Sequence, residues 1–450
     1  MARGKSARLR RPAKAFLESL RQFLTPAVWK QAHQAAGTCR RGLRWGIQPL
    51  ILVLIIMTWC CGDSQAERFE AAKAFCVVCR SRQKRPGRTL PGFHKALARL
   101  PMPVLRAICG GVRQRLATLL DLLVDGFIPL GCDGSRLECP RTAPLERFLC
   151  GANPKKSAPS IWLTSVVHLR LGVPWCWWWG KGNANERWHL QKMLPLLPAM
   201  TLLVADAGYI GYELMSQLNP QVAFLIRGCS KAPLYTAGRV KLDAFHEGEC
   251  LYWPQDVQRR GEPPLPVRVL HVRKKKRGKA KSQEVWLLTN VLDAKRLTLE
   301  QASKFYRWRW ENEGLFRTYK RTLKKMKLES RTMALLHREA EGSMLALQIL
   351  LAQGAMAMPR RSGQPEAQAS PRKVLLEVRR EILTAIGNRR QQNFRQRLST
   401  AQRDTRQRTT AKERRVWPTR VPHKSLKPPR FLKLTKEQEA IINELLRLCG

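Results

Sequence analysis

The alternation of apolar and polar positions divides the chain into three textures. Short helical stretches mark the basic residues 1–48, and helical spacing returns in 65–125 with "ERFEAAKAFCVVCR" and "VLRAICGGVRQRLATLLDLLVDG". Between them lies the longest apolar run, "LILVLIIM" (50–57), which reaches about Cys61. It is well short of the ~20 residues of a membrane span. It also follows too long a basic segment to be an ordinary signal peptide, so a buried helix or strand is expected there. From residue 127 the period shortens. "FIPLGCDG" (127–134), "SIWLTSVVHL" (160–169) and "GVPWCWWWG" (172–180) predict strands, "NERWHLQKMLPLLP" (185–198) a helix, and "TLLVADAGY" (201–209) a buried strand breaking into a turn. The order is β-β-β-α-β. Residues 221–292 continue with strand-like segments and Pro/Gly turns, interrupted by the basic loop "RKKKRGKAK" (273–281). Helical spacing resumes over 298–329 and around 332–357. From Pro359 to about Pro429 the chain is rich in Arg, Gln and Pro and poor in apolar residues, which predicts a largely disordered or loosely helical segment. A last helix, 435–448, opens with the capping box Thr435 and Gln438.

Charge changes the picture more than apolar content does. With 82 Lys and Arg against 33 Asp and Glu, the 450 residues carry a net +49, spread along the whole length. Such an excess points to a polyanionic partner, nucleic acid before an anionic membrane surface. The thirteen cysteines form no framework. The lone pair Cys76 and Cys79 lacks a second pair at zinc spacing and reads as structural or incidental thiols in a reducing cytoplasm.

In so basic a chain, carboxylates at strand ends stand out. Asp133 is expected to end the first strand and Asp206 the fourth, where adjacent strands bring their ends to one edge of a sheet. A third carboxylate lies within "YRWRWENEGLFRTYK" (306–320). On a continuous helix at about 100° per residue, Tyr306, Arg309, Glu313, Arg317 and Lys320 share one narrow stripe, with Glu311 on the opposite face. The plain alternative is a solvated face of i,i+4 ion pairs. Three carboxylates with open positions suit Mg²⁺ or Mn²⁺, and two such ions can activate a nucleophile and stabilise a leaving oxygen in phosphoryl transfer. The succession of strand Asp, two strands, helix, strand Asp, insert and helix Glu is that of an α/β, ribonuclease H-like core.

These residues resemble the DDE transposases of bacterial insertion sequences, in the insertion-sequence-four branch with its signature Tyr-x2-Arg-x3-Glu-x6-Lys. Tyr306, Arg309, Glu313 and Lys320 fit it without a gap, "DAGY" (206–209) is similar to the branch's Asp-x-Gly-Tyr/Phe turn, and "CDGSRLECPR" (132–141) resembles the segment around its first aspartate. The resemblance spans roughly 125–345. It implies Asp133, Asp206 and Glu313 as catalytic metal ligands for two Mg²⁺ or Mn²⁺ ions. It also implies DNA contacts by Tyr306, Arg309 and Lys320, with Arg317 a neighbour outside the signature. DNA is the expected partner, as transposon-end inverted repeats and as target, with a homodimer in the synaptic complex, no membrane, and a cytoplasmic, nucleoid-associated location.

The domains expected are a helical DNA-binding region (1–125), a catalytic core (126–220 and 293–357), a β-rich insertion (221–292) and a basic, largely disordered tail with a terminal helix (358–450). Lys274, Lys275 and Lys276 in the loop 273–281 are candidates for DNA-backbone contact, against a solvated hairpin tip. Trp253 and Trp286 are candidates for stacking on a flipped base, against a core role. "WCWWW" (175–179) is expected to be a buried strand rather than a stacking platform, and His168 and His189 to serve packing. Two other functions fit the same residues: a nuclease without strand transfer, and a non-catalytic nucleic-acid-binding descendant of a transposase. Whether excision passes through a hairpin at the element's end stays open.

Overall fold

In the computed structural model the described residues are 13–37, 45–79, 87–149, 158–218, 222–230, 232–274, 283–359, 368–387, 393–404 and 434–449. Two compact units emerge, Met1–Arg403 and Asp404–Gly450. The second contributes one described helix, Lys436–Cys449. It opens on the expected capping box: Gln438 N–H donates to Thr435 Oγ1 at 3.3 Å and Thr435 N–H to Gln438 Oε1 at 3.1 Å.

The first unit begins with six helices: α1 (Lys14–Phe23), α2 (Pro26–Ala35), α3 (Ile47–Trp59), α4 (Gln65–Cys79), α5 (Leu90–Arg99) and α6 (Met102–Leu119). The apolar run forms α3. It is apolar all round and buried, as a helix enclosed by others should be. It lies against α13 (Met333–Ala357), where a side chain at Gly342 would meet Leu54 at 2.3 Å and where Trp59 Nε1 donates to the Ala346 carbonyl at 3.2 Å. No described helix is long and apolar enough to cross a membrane. Cys76 and Cys79 form no disulfide.

Nine strands form one sheet: β1 (Ile128–Glu138), β2 (Ser160–His168), β3 (Val173–Lys181), β4 (Thr201–Ala205), β5 (Ala223–Arg227), β6 (Leu234–Tyr235), β7 (Gly248–Tyr252), β8 (Leu265–Lys274) and β9 (Gln283–Thr289). Their order is β3-β2-β1-β4-β5-β9-β8-β7-β6. β1, β2 and β3 run antiparallel; β1, β4 and β5 run parallel; the remainder is antiparallel. The short helices α7 (Ala143–Phe148), α8 (Glu186–Met193), α9 (Tyr212–Leu218) and α10 (Gln255–Arg259) connect them. The fold is thus mixed α/β around one large sheet. The strands of 221–292 extend that sheet, and β5 continues the parallel run of β1 and β4.

Both faces of the sheet are covered. In β4, Leu203 and Ala205 face the core shared with α3 and α13, while Leu202 and Val204 face a second core with Phe127, Leu225 and Phe305. A strand buried on both sides must read as a continuous apolar run, and "TLLVA" does. "WCWWW" lies in β3, with Trp175 and Trp177 buried. The indoles of Trp177 and Trp179 donate to the buried Glu341 carboxylate of α13 at 2.7 and 3.1 Å.

Three expectations are corrected. β1 does not end at Asp133 but runs on to Glu138, because β2 pairs with it through that register, Asp133 opposite Ser165. The 298–329 helix is not continuous: it is α11 (Leu299–Trp308), α12 (Glu311–Arg317) and a π-helical turn, Thr318–Thr322. The tail is not largely disordered throughout. Residues 371–399 contain α14 (Pro371–Ile386) and α15 (Phe394–Ser399), whose Val374, Val378, Ile382, Phe394 and Leu398 are buried in the main core. Sparse apolar residues at helical spacing suffice there because a large apolar surface already awaits them.

His168, at the end of β2, yields a stability prediction. Its Nδ1 accepts the Leu171 N–H at 3.3 Å, so the neutral ring carries its proton on Nε2 and donates it to the Leu122 carbonyl at 2.9 Å. Burial lowers its pKa to about 4, although the Leu122 bond opposes the shift. The unfolded value is ~6.5, so the unfolded chain binds this proton more tightly, and stability is complete above that value and declines as pH falls toward the folded one. From about pH 7 to about pH 5 this residue should cost the fold ~2 kcal/mol. In urea titrations His168→Gln should flatten the decline by that amount. An unchanged slope would mean the ring protonates without penalty.

Candidate active site

The parallel register of β1 and β4 sets Gly131 against Val204. Two residues on, the register carried past the end of β4 sets Asp206, the cap of the turn that follows, opposite Asp133, with neighbouring strands about 4.8 Å apart. The even step keeps Asp133 on the same face as Gly131. That face is where α12 packs: a side chain at Gly131 would meet Leu169 at 2.4 Å and Asn312 Nδ2 at 2.6 Å. The absence of a Cβ at residue 131 is what lets α12, with Glu313 in its first turn, approach the strand carrying Asp133.

The electrostatics agree with this geometry. Burial raises the Asp133 pKa, and the negative charges of Asp206 and Glu313 raise it further, against the Gly134 N–H and the Arg309 guanidinium. Asp133 and Asp206 are half-buried and Glu313 is exposed. Asp133 accepts the Gly134 N–H at 2.8 Å and Asp206 the Gly208 N–H at 2.9 Å. Among the described residues none of the three carboxylates forms a salt bridge. Glu311 is different: its carboxylate takes Arg403 Nη1 at 2.9 and 3.1 Å.

The signature residues lie around the acids on separate elements rather than on one stripe. Tyr306 is half-buried against the second core. Arg309 sits at the break between α11 and α12, 9% exposed, its guanidinium 5.6 Å from the Tyr306 ring and 5.1 Å from that of Trp310. Arg317 is exposed. Lys320 lies in the π turn, whose extra residue changes the helical phase, and donates to Ser135 Oγ at 2.7 Å. Ser135 is two residues from Asp133 on the same strand face, and the acid whose charge acts on Lys320 is Glu138. Lys274 ends β8, while Lys275 and Lys276 lie outside the described residues. Trp253 donates to the Glu262 carbonyl at 2.9 Å, and Trp286 stacks on His271 at 3.9 Å, so both have partners within the fold.

Several polar groups here are buried without hydrogen-bond partners: Ser165 Oγ, across β1 from Asp133, the Asn312 amide and Arg309 Nε. Unsatisfied groups are costly and gather where something else completes them. Among the described residues no group of three His, Cys, Asp or Glu side chains is placed to hold a metal ion as it stands. The donors themselves are all carboxylate oxygens, the kind that suits a hard divalent ion.

Sequence reasoning missed Glu186, the first residue of α8. Burial raises its pKa, and the charges of Asp133 and Asp206 raise it further, against the Tyr209 hydroxyl and Trp162 indole. A side chain at Gly134 would meet its Oε1 at 2.8 Å. In the sequence it reads as a first-turn acid after the Asn185 cap, with nothing to tie it to Asp133.

Residues 133–349 match the family model described as a transposase DDE domain. The match begins at Asp133, includes Asp206 and Glu313, and supports a DDE transposase. No curated protein matches. Among solved structures, a piggyBac transposase synaptic complex with hairpin DNA is similar at a TM-score of 0.41 and 10% identity, covering 88% of this chain and 86% of that one.

The approach of α12 to β1 can be tested alone. Gly131→Ala forces the Asn312 amide or the helix outward, and should cost ~1–3 kcal/mol in urea titrations. A neutral substitution would mean the two elements are not in contact.

Proposed function

We propose that the chain is a cut-and-paste DNA transposase of the insertion-sequence-four type, with a ribonuclease H-like core in β1–β5. It would bind the terminal inverted repeats of its own element, cleave them and join the freed 3′ ends to a target. What supports this reading is that the charges of Asp206 and Glu313 both act on the half-buried Asp133, that none of the three has a salt bridge among the described residues, and that all three lie in a chain of net +49 inside the span that matches a transposase DDE domain.

In this reading the three carboxylates would hold two Mg²⁺ or Mn²⁺ ions. Ions bound there supply Lewis-acid stabilisation of the phosphate and activation of a water or 3′-hydroxyl nucleophile. The chain's own contribution is placement. Arg309, with its Nε unspent, offers a guanidinium fork to a phosphate, and Lys320, held by Ser135, offers a point charge on the other side of Asp133. Tyr306 lies under Arg309 and orients it. The N-terminal helices and the 273–281 loop would add sequence-reading and backbone contacts, and two protomers would pair the two ends.

The test uses a supercoiled plasmid carrying the reading frame with both its flanks. Purified chain and Mg²⁺ should cut at the element's ends, and a chelator should stop cutting without releasing DNA. Asp133→Ala, Asp206→Ala and Glu313→Ala should each bind DNA normally, lose cleavage, and take up less Mn²⁺ in calorimetry. Normal cutting by Glu313→Ala would remove it from the site. Strand transfer of the cut ends separates this reading from a nuclease.

Binding should weaken steeply with salt, log affinity falling with log salt by ~0.9 for each phosphate neutralised on duplex DNA. A flat dependence in a filter-binding titration would detach the charge excess from DNA.

A further inference from the structure

α12 is only seven residues long, Glu311–Arg317, between a break at Arg309–Trp310 and a π turn. A helix so short has little stability of its own, so its contacts with the rest of the fold must fix its direction. On one flank the contact is with Gly131 of β1. On the other it is with the segment that follows α15, a part of the chain outside the span matching the transposase domain. There Arg403 Nη1 donates to both Glu311 carboxylate oxygens, at 2.9 and 3.1 Å, and to Gln368 Oε1 at 2.8 Å. Its backbone N–H donates to the Gln368 carbonyl at 2.8 Å, and Ser370 N–H to the Ala401 carbonyl at 2.7 Å, so the two ends of the α14–α15 segment are tied to each other as well. The guanidinium also lies over Gly172 in the β2–β3 turn, where φ is +66° and a Cβ would come within 3.6 Å of Nη2. Among the described residues this is the one ion pair that α12 makes.

We infer that Arg403, acting through Glu311, is a positioning residue for the cleavage reaction: it holds the first turn of α12 so that Glu313 faces Asp133 and Asp206. The inference rests on the proposed role of Glu313 in cleavage. Its reasoning is geometric. Glu311 and Glu313 are two residues apart on one helical turn, about 200° around the axis, so a contact that fixes one fixes the other's direction. Arg403 sits on the α12 flank away from the acids and touches none of them. The C-terminal segment therefore has a task in the site without entering it.

The experiment compares full-length variants in single-turnover cleavage, each first bound to a duplex made from the DNA that flanks its own reading frame. Arg403→Gln and Glu311→Gln should keep DNA affinity and melting temperature but slow cleavage by ~10–100-fold, the scale on which small misplacement of a reacting group acts. The charge exchange, Glu311→Arg with Arg403→Glu, should recover most of the loss. Glu313→Ala is the reference arm. Wild-type cleavage rates in both single variants, with Glu313→Ala inactive, would overturn the clasp and leave the acidic triad standing. Cleavage surviving Glu313→Ala would overturn the triad and the clasp together. A loss of cleavage that only follows a fall in melting temperature, with no recovery on exchange, would reduce the pair to a structural tie and also overturn the inference.

Discussion

The parallel pairing of β1 with β4 is the constraint on which the site depends. Its register brings two aspartates level at one place on the sheet, and no rearrangement of loops could do so as firmly. A slip of one residue would turn Asp133 to the other face. What prevents the slip is burial on both sides of the sheet: Leu203 and Ala205 are committed to one core, Leu202 and Val204 to the other. Because full burial of each Leu or Val side chain contributes ~1.5–3 kcal/mol, the apolar alternation of a single short strand sets the position of a charged residue just beyond its end.

In the proposed site the third carboxylate, Glu313, comes from a helix, and the chain builds that region with irregular pieces. α11 is anchored by Phe305 in the second core. The break at Arg309 redirects the chain across β1, where Gly131 admits it. The π turn then changes the phase so that Lys320 points back to Ser135, while the Tyr319 hydroxyl meets Ser343 Oγ of α13 at 2.7 Å. Single π turns are costly irregularities and occur often at functional sites. Here it lets one short segment present Lys320 to the strand and Tyr319 to the helical core.

These irregularities explain what the sequence could and could not reveal. The strands of 127–209 were legible because their burial leaves a plain period in the residues. The helical stripe was drawn on an unbroken helix. Neither the break nor the π turn leaves a mark in hydropathy, so the single stripe gives way to residues on three separate pieces. The apolar run that predicts β1 stops before Asp133, although the strand itself runs on to Glu138. Pairing with β2 carries the strand through Gly134 and Ser135. The helices after Pro371 were hidden by their low apolar content, since the surface that receives Val374, Val378 and Phe394 belongs to elements far away in sequence. Arg403 and Glu186 were invisible for the same reason: each acts across a long separation and carries no local pattern.

The distribution of ion pairs gives the last step. Most buried or half-buried acids of the first unit have a dedicated cation: Glu339 has Lys325, Glu329 has Arg68, Glu377 and Glu381 share Arg397, and Glu311 has Arg403. Where no cation serves, as at Glu341, two indole N–H groups do. With 82 cationic side chains available, pairing three more acids would have been easy. Instead Asp133 and Asp206 accept one backbone N–H each, Arg309 stands close enough to be felt by Asp133 yet forms no salt bridge with it, and Lys320 is bonded to a serine. An arginine locked onto Asp133 would cancel the charge that a metal ion needs and use up the fork that a phosphate needs. Holding both groups near each other but apart leaves each available to a different ligand, and a phosphodiester carried by a divalent ion is the chemistry that would take both at once.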